Sequence, residues 1–435
     1  MSSELRSAWV ARLEEQLRAG RASLRTGRVC AVVGGLVEAR VPEVVVGQAC
    51  EILVEAGSVR AEVVGFDGAT ARLLPWGSAE GIGVGAKVVL GRRPGGRLRV
   101  EEVGGRVLDG MGEPLDGGSE ISREVADRQP GFARRTMGFA DHLETGVGGL
   151  DVFAPVGRGA RVAVIGEAGS GKTHLLRRLR ERLSGEAVVI GLVGERAREA
   201  AALIEEVMSG PNRGETTVVV ATSEAPASER VAAALLAAEL AERFRGEGRD
   251  CLLLVDSLTR YARALRELAQ VRGEPMTASG YPVTMAGALA ALLERAGAGR
   301  AGSVTGIYTV LASSEREQGP VAEEVRSLVD VQVVLRRQLA DRGQYPAMDL
   351  VASMSRLSEQ LLSPERLEVA RVCRGALGLI EQHRDALELG YYRAGSRPAL
   401  DAAVAAEEEI RGALLASSSA EMWERLERVA ARLRR

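Results

Sequence analysis

The chain has 435 residues, enough for two or three domains and a large core. Its 57 basic and 59 acidic side chains leave a net charge of −2, so no global basic field draws it to nucleic acid or an acidic membrane. Aromatics make up only 3%, the four cysteines form no C-x-x-C pair, and no apolar run reaches the roughly 18–20 residues that span a bilayer. A base-stacking surface, a cysteine metal site and a membrane-spanning helix are all disfavoured. A reduced, cytoplasmic protein without a signal peptide is expected.

Residues 1–24 carry Leu5, Trp9, Leu13 and Leu17 at four-residue spacing. That spacing predicts a short amphipathic helix, which either packs on its own domain or docks a partner. Residues 25–95 change period. Valine-rich runs at Arg28 to Val41, Ala49 to Val54, Val59 to Pro75 and Lys87 to Leu90 are broken by Gly34-Gly35, Asp67-Gly68 and Gly81 to Gly85. Short strands with frequent turns predict a small closed β-barrel. Phe66 and Trp76 are its only aromatics, too few for a nucleic-acid platform.

Residues 96–360 alternate apolar runs with helical stretches: Arg161 to Ile165, Ala187 to Val193, Thr217 to Ala221, Cys251 to Val255 and Tyr308 to Leu311. This is an α/β pattern, a mainly parallel sheet with helices on both faces. The alanine-rich stretch Met285 to Leu293 reads as a buried helix. Residues 361–435 are rich in alanine, leucine, glutamate and arginine, and predict a C-terminal helical domain punctuated by Gly390 and Pro398.

Lysine is nearly absent. Only Lys87 and Lys172 occur, and arginine supplies the other 55 basic side chains. Lys172 closes Gly166-Glu167-Ala168-Gly169-Ser170-Gly171-Lys172-Thr173, a full match to the phosphate-binding loop G-x-x-x-x-G-K-[ST]. A compact ammonium fits between the β- and γ-phosphates, where a planar guanidinium does not. The run Arg161 to Ile165 before the loop reads as a buried strand, and the segment from Thr173-His174 onward as a helix start. Backbone N–H groups of the loop and the helix N-terminus then face the phosphates, and the Thr173 hydroxyl is a ligand for Mg²⁺. His174 has no metal-ligand partner at a useful spacing, and His142 and His383 read as surface residues.

A second element is an apolar strand ending in aspartate, Cys251 to Asp256; paired with the phosphate loop, Asp256 reads as the other anchor of Mg²⁺. Gly194-Glu195-Arg196-Ala197-Arg198-Glu199 follows the strand Ala187 to Val193. From the residues alone it is either a surface ion-pair loop or the source of a water-orienting carboxylate, Glu195, beside a phosphate-contacting Arg196. Tyr345 is either a core tyrosine or a ring that stacks on adenine. Arg356 is either a surface arginine or a finger serving a neighbouring subunit.

In this order the elements resemble the catalytic subunit of the flagellar and type III protein-secretion ATPases, which are relatives of the F-type rotary ATPases. The resemblance runs from about Gly27 to Leu400. It includes Gly105 to Gly110, Pro114 to Gly117, Glu144 to Val147 with Asp151, Gly273-Glu274-Pro275, Gly280-Tyr281-Pro282 and Leu293 to Gly297. Asp256-Ser257-Leu258-Thr259-Arg260-Tyr261-Ala262-Arg263, followed by Arg266-Glu267, is its most diagnostic stretch and resembles the secretion branch.

The resemblance implies a RecA-like central domain and a homo-hexamer with ATP and Mg²⁺ sites between subunits. It also implies that Lys172 and Thr173 hold phosphate and metal, that Glu195 polarises the water, that Arg196 senses phosphate and that Arg356 reaches the adjacent site. Implied partners are stator-like and central-stalk-like secretion proteins, chaperone–substrate complexes and an export gate, with peripheral placement at the inner membrane and no nucleic acid. A rotary synthase subunit is the alternative, although no acidic stalk-contacting run occurs around Glu381 to Gly390. The chain departs from the family where Ser170 replaces a valine, where Ala312 to Pro320 lacks an aspartate pair, where Val331 replaces a glycine, and beyond Leu400.

Overall fold

A computed structural model describes residues 26–55, 57–76, 79–90, 97–124, 140–183, 187–312 and 319–434. The expected helix over residues 1–24 lies outside them. Six antiparallel strands open the described chain: β1 (Thr26–Val33), β2 (Leu36–Arg40), β3 (Ala49–Val54), β4 (Gly57–Asp67), β5 (Thr70–Pro75) and β6 (Lys87–Leu90). They close into a barrel in the order β1-β2-β5-β4-β3-β6. Alternation decides which side chains fill it: Val37 and Ala39, Ile52, Ala61 and Val63, Ala71 and Leu73, and Val88 point inward and are buried. The β1–β2 turn needs two residues at positive φ, and Gly34 and Gly35 supply them at 58° and 86°.

The central sheet has nine strands. Eight form a path: β7 (Val107–Asp109), β8 (Arg161–Gly166), β9 (Ala187–Val193), β10 (Thr216–Ala221), β11 (Cys251–Asp256), β12 (Ser303–Leu311), β13 (Val331–Leu335) and β14 (Met354–Ser355), in the order β14-β13-β8-β12-β11-β9-β10-β7. The pair Gly297–Ala298 adds an antiparallel ninth strand on β12. All neighbours from β13 to β7 are parallel, and β14 is antiparallel to β13. Every residue of β9 and β10 is buried, as expected of strands covered on both faces.

The two faces form separate cores. Val162 and Val164 join one, which takes in helices α1 (Lys172–Leu183) and α2 (Ala197–Met208). Ala163 and Ile165 join the other, with α3 (Ala227–Gly246), α4 (Leu258–Arg272), α5 (Met285–Leu293) and α6 (Pro320–Leu328). The C-terminal helices α7 (Pro364–Gln382), α8 (Pro398–Ala413) and α9 (Ser419–Leu433) pack against the first core, on the phosphate-loop side. Pro398 opens α8 where its missing N–H costs nothing.

His142 and His383 are half-buried, not at the open surface. His383 follows α7, and its Nδ1 bonds the Leu379 carbonyl at 3.0 Å, so the ring is drawn onto the helix end. His142 lies on the short strand Ala140–Leu143, and its Nε2 is buried without a partner among the described residues.

Leu253 lies fully buried in β11, the strand that carries Asp256. Leu253→Ala is expected to cost about 2–5 kcal/mol of stability in urea unfolding, through lost burial and a residual cavity. A loss under about 1 kcal/mol would show that the sheet interior collapses around the gap.

Candidate functional site

Parallel strands deliver their C-terminal ends to one edge of the sheet, and the loops that follow make the site. Strand β8 ends at Gly166, and α1 starts at Lys172. The turn between them needs left-handed backbone at Gly169 and Gly171, with φ of 78° and 85°. A Cβ on Gly166 would lie 2.4 Å from Ser170 Oγ and 3.1 Å from Leu335, so this glycine lets strand and loop pack closely. Ser170 is fully buried, and its hydroxyl has no partner among the described residues. The first-turn N–H groups of α1 have no intrahelical acceptor and face outward from the loop. Lys172 Nζ turns onto the loop itself, donating to the carbonyls of Gly166 at 2.9 Å and Glu167 at 2.6 Å. Burial pulls its pKa below the usual lysine value, against the nearby Asp256 and Glu195 carboxylates, which raise it.

Two strands beyond β8, β11 ends at Asp256. Its carboxylate accepts a hydrogen bond from Thr309 Oγ1 on β12. Burial raises its pKa despite the Thr309 hydrogen bond, Lys172 and Arg260. Thr173 and Asp256 line one small cavity behind the loop together with Leu176, Arg180 and Leu254. The donor set is one hydroxyl and one carboxylate, and no cluster of three His, Cys, Asp or Glu occurs among the described residues. Such a pair fits a hard divalent cation that keeps waters and takes phosphate oxygens as its remaining ligands.

The next strand, β9, hands over to Gly194 and Glu195. Glu195 is held by Arg260 from the first turn of α4: Nε lies 3.1 Å from Oε1, and Nη2 donates to Oε2 at 3.2 Å. Arg260 Nη1 also donates to the Gly194 carbonyl at 2.5 Å. The peptide between Asp256 and Ser257 is cis, and the Ser257 hydroxyl caps α4 by accepting from Arg260 N at 3.4 Å. Burial pushes the Glu195 carboxyl up to about 7, with the Asp256 charge adding to the rise and the Arg260 charge opposing it. The site thus sets two carboxylates among two cations.

Arg260 is the residue that the sequence reading left without a role. It stands in the stretch Asp256 to Arg263, four residues past Asp256, but a chain with 55 arginines hides its contact. Arg196, expected to contact phosphate, holds its side chain in solvent, with Glu199 3.7 Å away. As the N-cap of α2 it precedes the helix with extended backbone, which turns the side chain outward.

Tyr345 is half exposed and reaches the phosphate loop: a Cβ on Gly171 would lie 3.3 Å from its Cε1. Its ring meets His174 edge-on, with centroids 5.4 Å apart. Tyr345, Val147, Gly148, Met348 and Leu414 belong to the lining of a cavity of about 340 Å³ beside the loop. Arg356 lies elsewhere. Ser355 pairs with Val331 at the start of β13, whereas Gly166 pairs with Leu335 at its end. Arg356 follows, with its N–H on the Asp330 carbonyl, so five residue steps, about 16 Å along the sheet, separate it from its own phosphate loop. Its guanidinium donates to the carbonyls of Ser327 at 3.3 Å and Arg326 at 3.2 Å and stays exposed.

Gly166→Ala is expected to weaken binding of a fluorescent nucleotide at least about tenfold, since its Cβ overlaps Ser170 Oγ and the loop must move. Unchanged affinity would mean that the loop yields without loss of its phosphate geometry.

Comparison with known proteins matches three segments. Residues 146–355 match the nucleotide-binding domain of the ATP synthase alpha/beta family, and residues 29–90 match the β-barrel domain of that family. Residues 362–422 match the C-terminal domain of the type III secretion ATPase EscN. The SPI-2 type 3 secretion system ATPase of Salmonella typhimurium is 39% identical over 382 residues, spanning 87% of this chain and 88% of that protein. The flagellum-specific ATP synthase of Pseudomonas aeruginosa is 37% identical over 392 residues, spanning 87% and 86%. The assembled ATPase EscN of the enteropathogenic E. coli type III secretion system superposes with a TM-score of 0.84 at 30% identity, covering 93% of this chain and all of that one. A phosphate loop, a buried strand-end aspartate and a barrel-sheet-helix order, with relatives matched over nearly their full length, place the chain in the family of type III secretion and flagellum-specific ATPases.

Proposed function

We propose that this ATPase hydrolyses ATP with Mg²⁺ at sites completed between the subunits of a homo-hexamer, and that the hydrolysis energises export by releasing and unfolding chaperone-bound substrates. The observation that carries the reading is the meeting of Lys172, Asp256 and Glu195 at one edge of the sheet, after β8, β11 and β9, with Arg260 gripping Glu195. Lys172 and the loop N–H groups of Gly166 to Thr173 hold the phosphates. Thr173 and Asp256 hold the metal, which neutralises charge on the phosphates when bound. Tyr345 stacks on the base, beside His174.

Glu195 orients the attacking water and accepts its hydrogen bond, a task that needs the ionised carboxylate. Arg260 fixes the direction in which that carboxylate points. Arg196, exposed at the mouth of the site, contacts the γ-phosphate after a turn of its side chain. Arg356 lies too far from its own phosphate loop to act there, which supports its service to a neighbouring subunit. The relatives' secretion systems support placement against the cytoplasmic side of an inner membrane, with stator-like and stalk-like proteins and an export gate as partners. No helix among the described residues is long and apolar enough to cross a membrane. A role as a rotary synthase subunit is not favoured, because the matched relatives serve secretion and flagella.

Lys172→Ala and Glu195→Gln should each lower Mg²⁺-dependent hydrolysis by about 10²–10⁴-fold. In the active protein the rate should rise as pH passes through about 7, because Glu195 loses its proton there. Arg260→Ala removes a charge that favours ionisation, so that limb should move to higher pH; a pH–rate profile that stays in place would remove Glu195 as the titrating group.

Arg356→Ala should cost about 10³–10⁵-fold while nucleotide still binds. Mixing Arg356→Ala subunits with Lys172→Ala subunits should restore part of the activity, since some interfaces then pair an intact loop with an intact arginine. No recovery on mixing would place Arg356 outside the site.

A further inference from the structure

The cavity beside the phosphate loop holds a cation that the reading above does not use. Arg178 lies on α1, six residues past Lys172 and four past His174. Four residues along a helix return to the same face, so Arg178 shares the face that His174 presents to Tyr345. It lines the cavity with Tyr345 and is half-buried. No hydrogen bond or ion pair to its guanidinium occurs among the described residues. The other arginine of the lining, Arg411, is occupied by Glu407 on its own helix at 2.9 Å. Among the described residues no aspartate or glutamate lines the cavity, and its neutral polar side chains are Gln344 and Tyr345.

Position along the helix assigns Arg178 to the base and not to the phosphates. Six residues advance about 9 Å from Lys172, down the axis and away from the helix N-terminus. Chemistry then says which base. A guanidinium only donates, through a planar fork. Guanine offers O6 and N7, two adjacent acceptors that such a fork meets together. Adenine offers N7 beside the donor N6–H₂, and the second arm of the fork meets a donor. With no acidic side chain in the lining, nothing charged is present to receive the adenine amino group.

We propose that this site also hydrolyses GTP, and that Arg178 admits guanine by donating to its O6 and N7 edge. The proposal rests on the reading of the loop as the phosphate site, and its tests separate the two. The test compares kcat/KM of the full-length protein for ATP, GTP and 7-deaza-GTP with Mg²⁺. GTP is expected to be used within about tenfold of ATP. Removing N7 should lower the GTP value by about fivefold to a hundredfold, the worth of a bidentate contact. Arg178→Met should lower the GTP:ATP ratio of kcat/KM by about tenfold, and Arg178→Lys, a single point donor, should lower it in the same direction.

An unchanged GTP:ATP ratio in the Arg178 variants overturns the proposal, as does equal use of GTP and 7-deaza-GTP. GTP turnover more than about a hundredfold below Lys172-dependent ATP turnover overturns it as well, and leaves the phosphate site standing. If the Arg178 variants do not fold, the 7-deaza comparison decides on the wild-type protein. If neither nucleotide shows Lys172-dependent hydrolysis, the phosphate site itself is wrong and the base assignment falls with it.

Discussion

Two carboxylates held out of water, Asp256 and Glu195, constrain the rest of the site. Burial raises both, and each sits near the other's charge. Lys172 and Arg260 are the cations that keep them compatible with a folded sheet edge. Either cation alone would leave an uncompensated buried charge, which costs several kcal/mol, about 3–5 where measured. The arrangement is therefore balanced before any phosphate arrives. Lys172 closes that balance on the loop itself, donating to the carbonyls of Gly166 and Glu167.

That balance depends on topology. Parallel strands bring the ends of β8, β9 and β11 to one side, so the charges of Lys172, Asp256 and Glu195 act on one another across short turns. The cores on the two sheet faces fix those ends in place. The C-terminal helices share the core on the phosphate-loop face, and a Cβ on Gly148 would lie 2.3 Å from the Leu414 carbonyl. The base cavity is thus walled by two parts of the chain, and its shape belongs to their packing.

Sequence reading reaches these features unevenly, for physical reasons. Lys172 and Asp256 are legible because glycine spacing and an apolar strand ending in a charge have few other uses, and the sheet brings them together. The barrel is legible in its valine runs and glycine turns. Glu195 is ambiguous from its residues alone, since an exposed ion-pair loop has the same composition; the resemblance gives it a role, and the Arg260 contact gives it a fixed direction. Arg260 stands in the most diagnostic stretch of the resemblance without its contact being legible, and Arg178 is not legible at all, because arginine replaces lysine across the chain and erases the contrast that marks Lys172. Arg196 stands next to Glu195 in sequence, yet its side chain reaches into solvent, 3.7 Å from Glu199.

The same scarcity gives the molecule an unusual chemical profile. Amine-directed reagents meet two ε-amino groups in the entire chain, Lys87 on the barrel and Lys172 in the loop. Burial lowers the pKa of Lys172, so a larger share of its amine is neutral and nucleophilic at a given pH than for a solvated lysine. After digestion, acylation is read on two separate peptides, one carrying Lys87 of the barrel and one carrying Lys172 of the loop.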